Sequence, residues 1–193
     1  MNIIPAVTIT NFDGSKSYDL FSLLLKERII LITGEITDET ATLISSELIY
    51  LNAISQGEKI TMYINSPGGS VSAGLAIYDI MKTIKSPIET IGFGLCASMG
   101  AFLLSSGNIR KAHQNCEIMI HQPLGSTNGQ VTDLEIMTTR FTYLKKRLND
   151  ILSKNTKQPL SKIIKDTDRN YFMSSQEAKD YNLIDEVIKH QDS

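Results

Sequence analysis

Ile91-Gly92-Phe93-Gly94-Leu95-Cys96-Ala97-Ser98-Met99-Gly100 is the stretch on which the reading of this chain turns. A short apolar strand pattern runs into small residues, delivers one serine at a turn, and continues as Met99 to Leu104, apolar enough for a buried helix. Small residues let a strand and a helix pack closely, and a serine at a helix start ordinarily caps it. The same placement sets a hydroxyl beside the backbone N–H of Met99, where an attacking oxygen and half of an oxyanion hole would sit. On this stretch alone both readings stand. Cys96, just upstream of Ser98, offers a thiol as a lesser candidate nucleophile.

Upstream, Ile60, Met62 and Ile64 alternate through a strand that ends in Asn65-Ser66-Pro67-Gly68-Gly69-Ser70. Two glycines at a strand end expose backbone N–H groups and admit another chain closely, which near Ser98 supplies the other half of an oxyanion hole. A helix over Val71 to Lys85 shows Val71, Leu75, Tyr78 and Met81 on one face, Pro87 stops it, and Ile88 to Phe93 returns as a strand. Tyr18 to Lys26 is helix-like. Arg28 to Thr33 is a continuous apolar strand ending at Gly34, as expected of a sheet covered on both faces. Thr37 or Asp38 caps a helix in which Ala41, Ile44, Leu48, Leu51 and Ile54 recur at helical spacing before Gly57. Strand and helix alternating in this way predict an α/β fold with right-handed crossovers and a parallel sheet. Met1 to Lys16, ending in the turn-rich Asn11 to Ser15, reads as a mobile arm or hairpin outside the core.

Downstream, a polar stretch after Gly107 leads to Glu117-Ile118-Met119-Ile120-His121-Gln122-Pro123. His121 ends an apolar strand just before a proline-broken loop, where parallel α/β sheets display site residues, although a satisfied histidine at the core edge has the same pattern. His113 and His190 lie in polar segments and read as solvated surface. Leu124 to Gln130 is a loop, and Thr132-Asp133-Leu134-Glu135 is a capping box opening a long helix. Met137, Phe141, Leu144, Leu148 and Ile151 form a narrow seam on it, suited either to one partner helix of a second subunit or to the core. After Asn155 to Pro159 come a short amphipathic piece, the charged run Lys165 to Phe172, a second capping box at Ser174 to Glu177, a last helix and a strand-like Ile184 to Ile188. Without repeats or linkers, residues 1–193 form a single domain.

At 41% hydrophobic and 21% charged residues the composition is that of an ordinary globular protein. A net charge of -2 argues against nucleic acid or an anionic membrane as the main partner. No apolar run reaches the ~20 residues of a membrane span, and no secretory pattern opens the chain, so a cytoplasmic location is expected. Cys96 and Cys116 have neither metal spacing nor the number for a disulfide framework, and read as small core hydrophobes.

Together these segments resemble the proteolytic subunit family of the ATP-dependent Clp protease, over nearly the whole chain from Ile4-Pro5 and Arg28-Ile29-Ile30 to Leu183-Ile184-Asp185. The most specific strings are Asn65 to Ser70, Ala97-Ser98-Met99-Gly100-Ala101-Phe102, Met119 to Leu124, and Asp166-Thr167-Asp168-Arg169. The resemblance implies a crotonase-like α/β fold of repeated β-α-β units with a protruding handle helix. It also implies homo- or hetero-heptameric rings stacked as a tetradecamer around a chamber, where unfolded proteins are cut as a serine endopeptidase cuts them. By position, Ser98 would be the nucleophile and His121 the general base, with the N–H groups of Gly69 and Met99 as the oxyanion hole. Residues 1–17 would be an axial arm and residues 124–155 the handle. Asp168 and Arg169 match an inter-ring contact. Tyr63 matches the cleft where a AAA+ unfoldase of the ClpX, ClpC or ClpA type docks. No metal or organic cofactor is implied, since ATP belongs to the partner.

The chain departs from the family pattern where an Asp-Arg-Asp string ends in the third triad member, for here it reads Asp168-Arg169-Asn170. An asparagine oxygen can accept the Nδ1 proton of His121, as in Cys-His-Asn proteases, but brings no charge to the imidazolium. Its NH2 can also hold the wrong tautomer, which costs a serine protease about 10⁴ in turnover, or roughly 5 kcal/mol of barrier. The expectation is an assembled hydrolase with weak or conditional activity alone, relying on mixed rings with a fully equipped paralogue. The alternative is a catalytically silent ring subunit. A crotonase-type acyl-CoA enzyme would have no use for the Ser98 and His121 pair. Two smaller departures are Asn182, where glycine is usual at a left-handed helix end, and a shorter Gly107 to Arg110 turn, expected to alter only the surface.

Overall fold

Alternating apolar residues at Ile60, Met62 and Ile64 place their strand inside a sheet, with a parallel neighbour on each side. The computed structural model describes residues 5–11, 14–125 and 128–190; Met1 to Ile4, Phe12 and Asp13 of the expected arm lie outside these. β1 (Ala6–Asn11) and β2 (Gly14–Asp19) form a separate antiparallel ribbon, so Tyr18 belongs to a strand and the first helix, α1 (Leu20–Lys26), starts later than its pattern suggested. Asp19 accounts for that start, since its carboxylate accepts the Ser22 N–H at 2.9 Å.

Among the described residues the main sheet has seven strands. β3 (Ile29–Thr33), β4 (Ile60–Ser66), β5 (Ile88–Ala97), β6 (Ile109–His113) and β9 (Glu186–Ile188) lie side by side and parallel. α2 (Asp38–Ile54) and α3 (Val71–Thr83) are the crossovers between the first three. Ile60, Met62 and Ile64 on β4 are fully buried, as are Ile30 and Ile32 on β3 and Ile44, Leu48 and Leu51 on α2. Ile54 departs from its expected face and is exposed, because the helix stops there with Ser55 as its cap. The outer face of β3 is also not covered within one chain: Ile29 and Leu31 line an open apolar groove of about 520 Å³ with Phe21, Leu25 and Leu43.

β5 serves two neighbours. Its first half, Glu89 to Gly92, pairs with β6, and its last residues, Leu95 to Ala97, pair with β7 (Glu117–Ile120). The break between them is a register shift opposite Ile64 to Ser66, with Gly94 at φ 64. The Asn65 side chain fills the gap, its Oδ1 accepting the Leu95 N–H at 3.1 Å. β7 pairs antiparallel with β8 (Tyr171–Ser174), which has no counterpart in the sequence reading. β6 is likewise a strand where a polar stretch was expected. Its Arg110 is buried, with Asp185 at 3.0 Å and the carbonyls of Asn155 and Asn182 at 2.8 and 2.9 Å, so this turn shapes the interior and not the surface alone. Asn182 does adopt the left-handed conformation, at φ 60.

α4 (Met99–Leu104) is buried throughout. α5 (Val131–Thr156) begins just before the expected capping box: Gly129 at φ 154 has already turned the chain, Gln130 occupies the cap position without a side-chain bond, and Thr132 falls inside the helix. Its C-terminal half packs through Leu148 and Leu152, whereas Val131, Ile136 and Tyr143 of the first half are exposed, so it projects from the domain. α6 (Leu160–Asp166) and α7 (Ser175–Asp180) complete the described helices. The second capping box is present as expected: Ser174 and Glu177 exchange side-chain to backbone bonds at the start of α7. Among the described residues no helix is long and apolar enough to cross a membrane.

Candidate active site

Ser98 sits between β5 and α4 with φ 54 and ψ -121. An L-residue held there is strained by about 1–3 kcal/mol, and the neighbours enforce it. The Ser98 N–H donates to Met119 O of β7 at 2.8 Å, and its carbonyl accepts the Phe102 N–H at 3.0 Å. Beneath lies Gly68, where a Cβ would come within 2.6 Å of Ser98 Cβ and 2.9 Å of Ala97 O. The hydroxyl makes no bond into the helix, so Ser98 does not cap α4.

The two backbone N–H groups expected as oxyanion donors belong to Met99 and Gly69. Met99 is the first residue of α4, and the first N–H groups of a helix lack intrahelical acceptors. Gly69 forms a parallel bridge with Ile36, in which Ile36 N–H donates to Gly68 O and Ser70 N–H donates to Ile36 O, both at 2.8 Å. That pattern uses the groups flanking Gly69 and turns its own N–H to the side away from Ile36. A Cβ at Gly69 would collide with the Ile36 backbone, which excludes other residues.

His121 follows β7, half-buried, and Asn170 precedes β8; the antiparallel pairing of these strands brings the two segments together. His121 Nδ1 lies 3.1 Å from Asn170 Oδ1. An amide oxygen can only accept, so in this orientation Nδ1 carries a proton, and in the neutral ring that leaves the lone pair on Nε2. Ser98 and His121 line one small apolar cleft with Val71, Phe102, Pro123 and Leu148. Among the described residues no hydrogen bond joins the Ser98 hydroxyl to His121; such bonds often tighten only when substrate is bound.

The remaining expected positions are dispersed. Asp168 and Arg169 are exposed, the Arg169 guanidinium donating to Asp168 O at 2.7 Å, while the Asp168 carboxylate faces Lys145 at 3.6 Å and not His121. Tyr63 sits half-buried on β4, edge-on to Phe93 at 6.2 Å between ring centres, and does not line the open groove at β3. Cys96 is no nucleophile: its buried thiol donates to Ile64 O at 3.1 Å, and the adjacent Cys116 together with burial pushes it far above the usual thiol range. The close approach expected of the double glycine is made at Gly68, against Ser98; sequence reading missed Gln122, which follows His121 directly. A family model described as Clp protease matches residues 13–191 of the chain.

Proposed function

The chain belongs to the Clp protease family, and from that premise we propose that it is a serine-type endopeptidase in which Ser98 attacks, His121 transfers the proton and Asn170 orients His121. His121 Nε2 takes the Ser98 hydroxyl proton as Oγ bonds to the scissile carbonyl carbon. The N–H groups of Gly69 and Met99 hold the oxyanion that develops. The imidazolium then gives its proton to the leaving amine, and water, deprotonated by the same imidazole, releases the acyl group from Ser98. The protein works as heptameric rings stacked into a tetradecamer in the cytoplasm, supplied with unfolded chains by a AAA+ unfoldase. The projecting half of α5 acts between the rings, with Asp168 and Arg169 close to that contact, and Tyr63 belongs to the unfoldase-docking face.

The observation that carries this reading is the 3.1 Å contact of His121 Nδ1 with Asn170 Oδ1, beside a cleft shared with a strained serine. A neutral orienter gives the imidazolium no countercharge, so turnover by this chain alone is low. Asn170, a neutral residue on His121 Nδ1, favours a second reading, a subunit silent alone and activated by a paralogue in mixed rings. The test is hydrolysis of a fluorogenic tripeptide, with particle mass measured on the same sample and Ser98→Ala as control. Slow turnover that the control abolishes is expected from a tetradecamer. A full-sized particle that neither turns over nor reacts at Ser98 with a fluorophosphonate would overturn the first reading and leave the second.

A further inference from the structure

One residue fastens the segment after His121 to the segment before Asn170 at two points. Gln122 donates its backbone N–H to Thr167 O at 2.6 Å and its side-chain Nε2 to Asp168 O at 2.7 Å. Its Oε1 accepts from Lys145 Nζ of α5 at 2.7 Å, and the same ammonium lies 3.6 Å from the Asp168 carboxylate. An ammonium has donors only, so Lys145 fixes Oε1 toward α5 and thereby aims Nε2 at the Asp168 carbonyl. The flipped amide would set oxygen against oxygen. Thr167 also lies against the same helix, its hydroxyl donating to Ile163 O at 2.7 Å and standing 3.2 Å from the Asn149 side-chain amide.

We propose that Gln122 and Lys145 are positioning residues that hold Asn170 with its amide oxygen on His121 Nδ1, and that residue 170 requires them because it is an amide. This deepens the hydrolase reading and rests on it. A carboxylate offers two equivalent acceptors and attracts the Nδ1 proton by charge, so it tolerates a shift or rotation of its backbone. An amide offers one acceptor and one donor related by a half-turn, and the wrong one selects the wrong histidine tautomer. The backbone of residues 167–170 must therefore be set closely against His121, and Gln122 joins the two where they approach. Lys145 adds a consequence for the long helix: a movement at its middle reaches the pair through Gln122.

The test is a double-mutant cycle, with Gln122→Leu and Lys145→Met each made in the native and Asn170→Asp backgrounds, and kcat and KM measured for a fluorogenic peptide on samples of known particle mass. In the native background kcat should fall on the order of 10- to 100-fold with KM little changed. In the Asn170→Asp background the fall should stay within about 3-fold, and Lys145→Arg, which keeps a donor, should stay within about 3-fold of native. Lys145→Met leaves the Gln122 backbone bond in place, so it carries the test if Gln122→Leu does not assemble. Equal losses in both backgrounds, or losses confined to KM, would overturn the inference while Ser98-dependent turnover upholds the hydrolase reading. No Ser98-dependent turnover in either background would overturn both.

Discussion

Two serines in this chain stand at the same kind of junction, a strand giving way to a short helix, and they behave oppositely. Ser174 has φ -65 and ψ 165, accepts the Glu177 N–H at 3.3 Å, and receives the Glu177 carboxylate on its own N–H at 2.8 Å. Ser98 has φ 54 and ψ -121 and gives its hydroxyl to no helix N–H. At Ser174 the extended backbone points the side chain down the helix axis, so the hydroxyl is consumed by structure. At Ser98 the turn of the backbone keeps the hydroxyl out of the helix and open to the cleft. The side chain is the same, and the sign of φ decides its role. That sign is imposed from outside the junction, by Gly68 pressed beneath it and the Met119 carbonyl beside it.

The sharpest way to break the comparison is to remove each hydroxyl. Ser98→Ala should lower peptide turnover by about 10³-fold or more, to background, while Ser174→Ala leaves kcat unchanged. Comparable losses in both would mean that both serines are structural. Asn170→Asp should raise kcat by about 100-fold, less than the ~10⁴ that a fully mis-set tautomer costs, because the amide oxygen already faces Nδ1. A turnover unmoved by this substitution would relocate the limiting defect away from residue 170.

Stability should separate the two serines in sign. Ser98→Gly relieves φ 54 and should raise unfolding free energy by about 1 kcal/mol. Ser174→Ala should lower it by about 1 kcal/mol. Denaturant midpoints at constant slope read both. The smallest effect concerns pH. Bonds from the Ser174 backbone and hydroxyl hold the exposed Glu177 carboxyl below its usual range. Its stabilisation is therefore complete above the unfolded value of about 4.3 and is lost as pH falls through the lower folded value. The deficit of Ser174→Ala should shrink across that acid window, whereas the gain of Ser98→Gly should not change. A deficit constant down to the acid transition would show that Glu177 takes no part in the cap.

What the sequence disclosed follows from where the physical signal lies. β3, β4, the start of β5 and the helices between them are legible because apolar residues recur at strand or helix spacing within each segment. β6 is not, since its Arg110 is inward-facing and its charge is answered by Asp185, a partner 75 residues away. β8 hides in a charged run and exists through its pairing with β7. The Thr132 box fails because Gly129 turns the chain first, while the Ser174 box succeeds because nothing competes with it. At the site, Ser98 and His121 stand at strand ends where chemistry is displayed, so residue type and position suffice to nominate them. The meeting of Asn170 with His121 was legible only through the family resemblance. Nothing local marks Lys145, one polar residue beside an apolar seam, whose role depends on a contact 23 residues back at Gln122.

The sulfurs of Cys96 and Cys116 are 3.9 Å apart and buried, Cys96 in β5 and Cys116 just before β7, the strands that lead to Ser98 and His121. Thiols so enclosed meet a modifying reagent only when those strands part. Their modification rate in the folded protein is accordingly a clock for opening of the site, and it ticks without substrate. Where reclosing outruns the reagent, the rate at each reagent concentration yields the equilibrium population of the open form, and hence how firmly Ser98 and His121 are kept together.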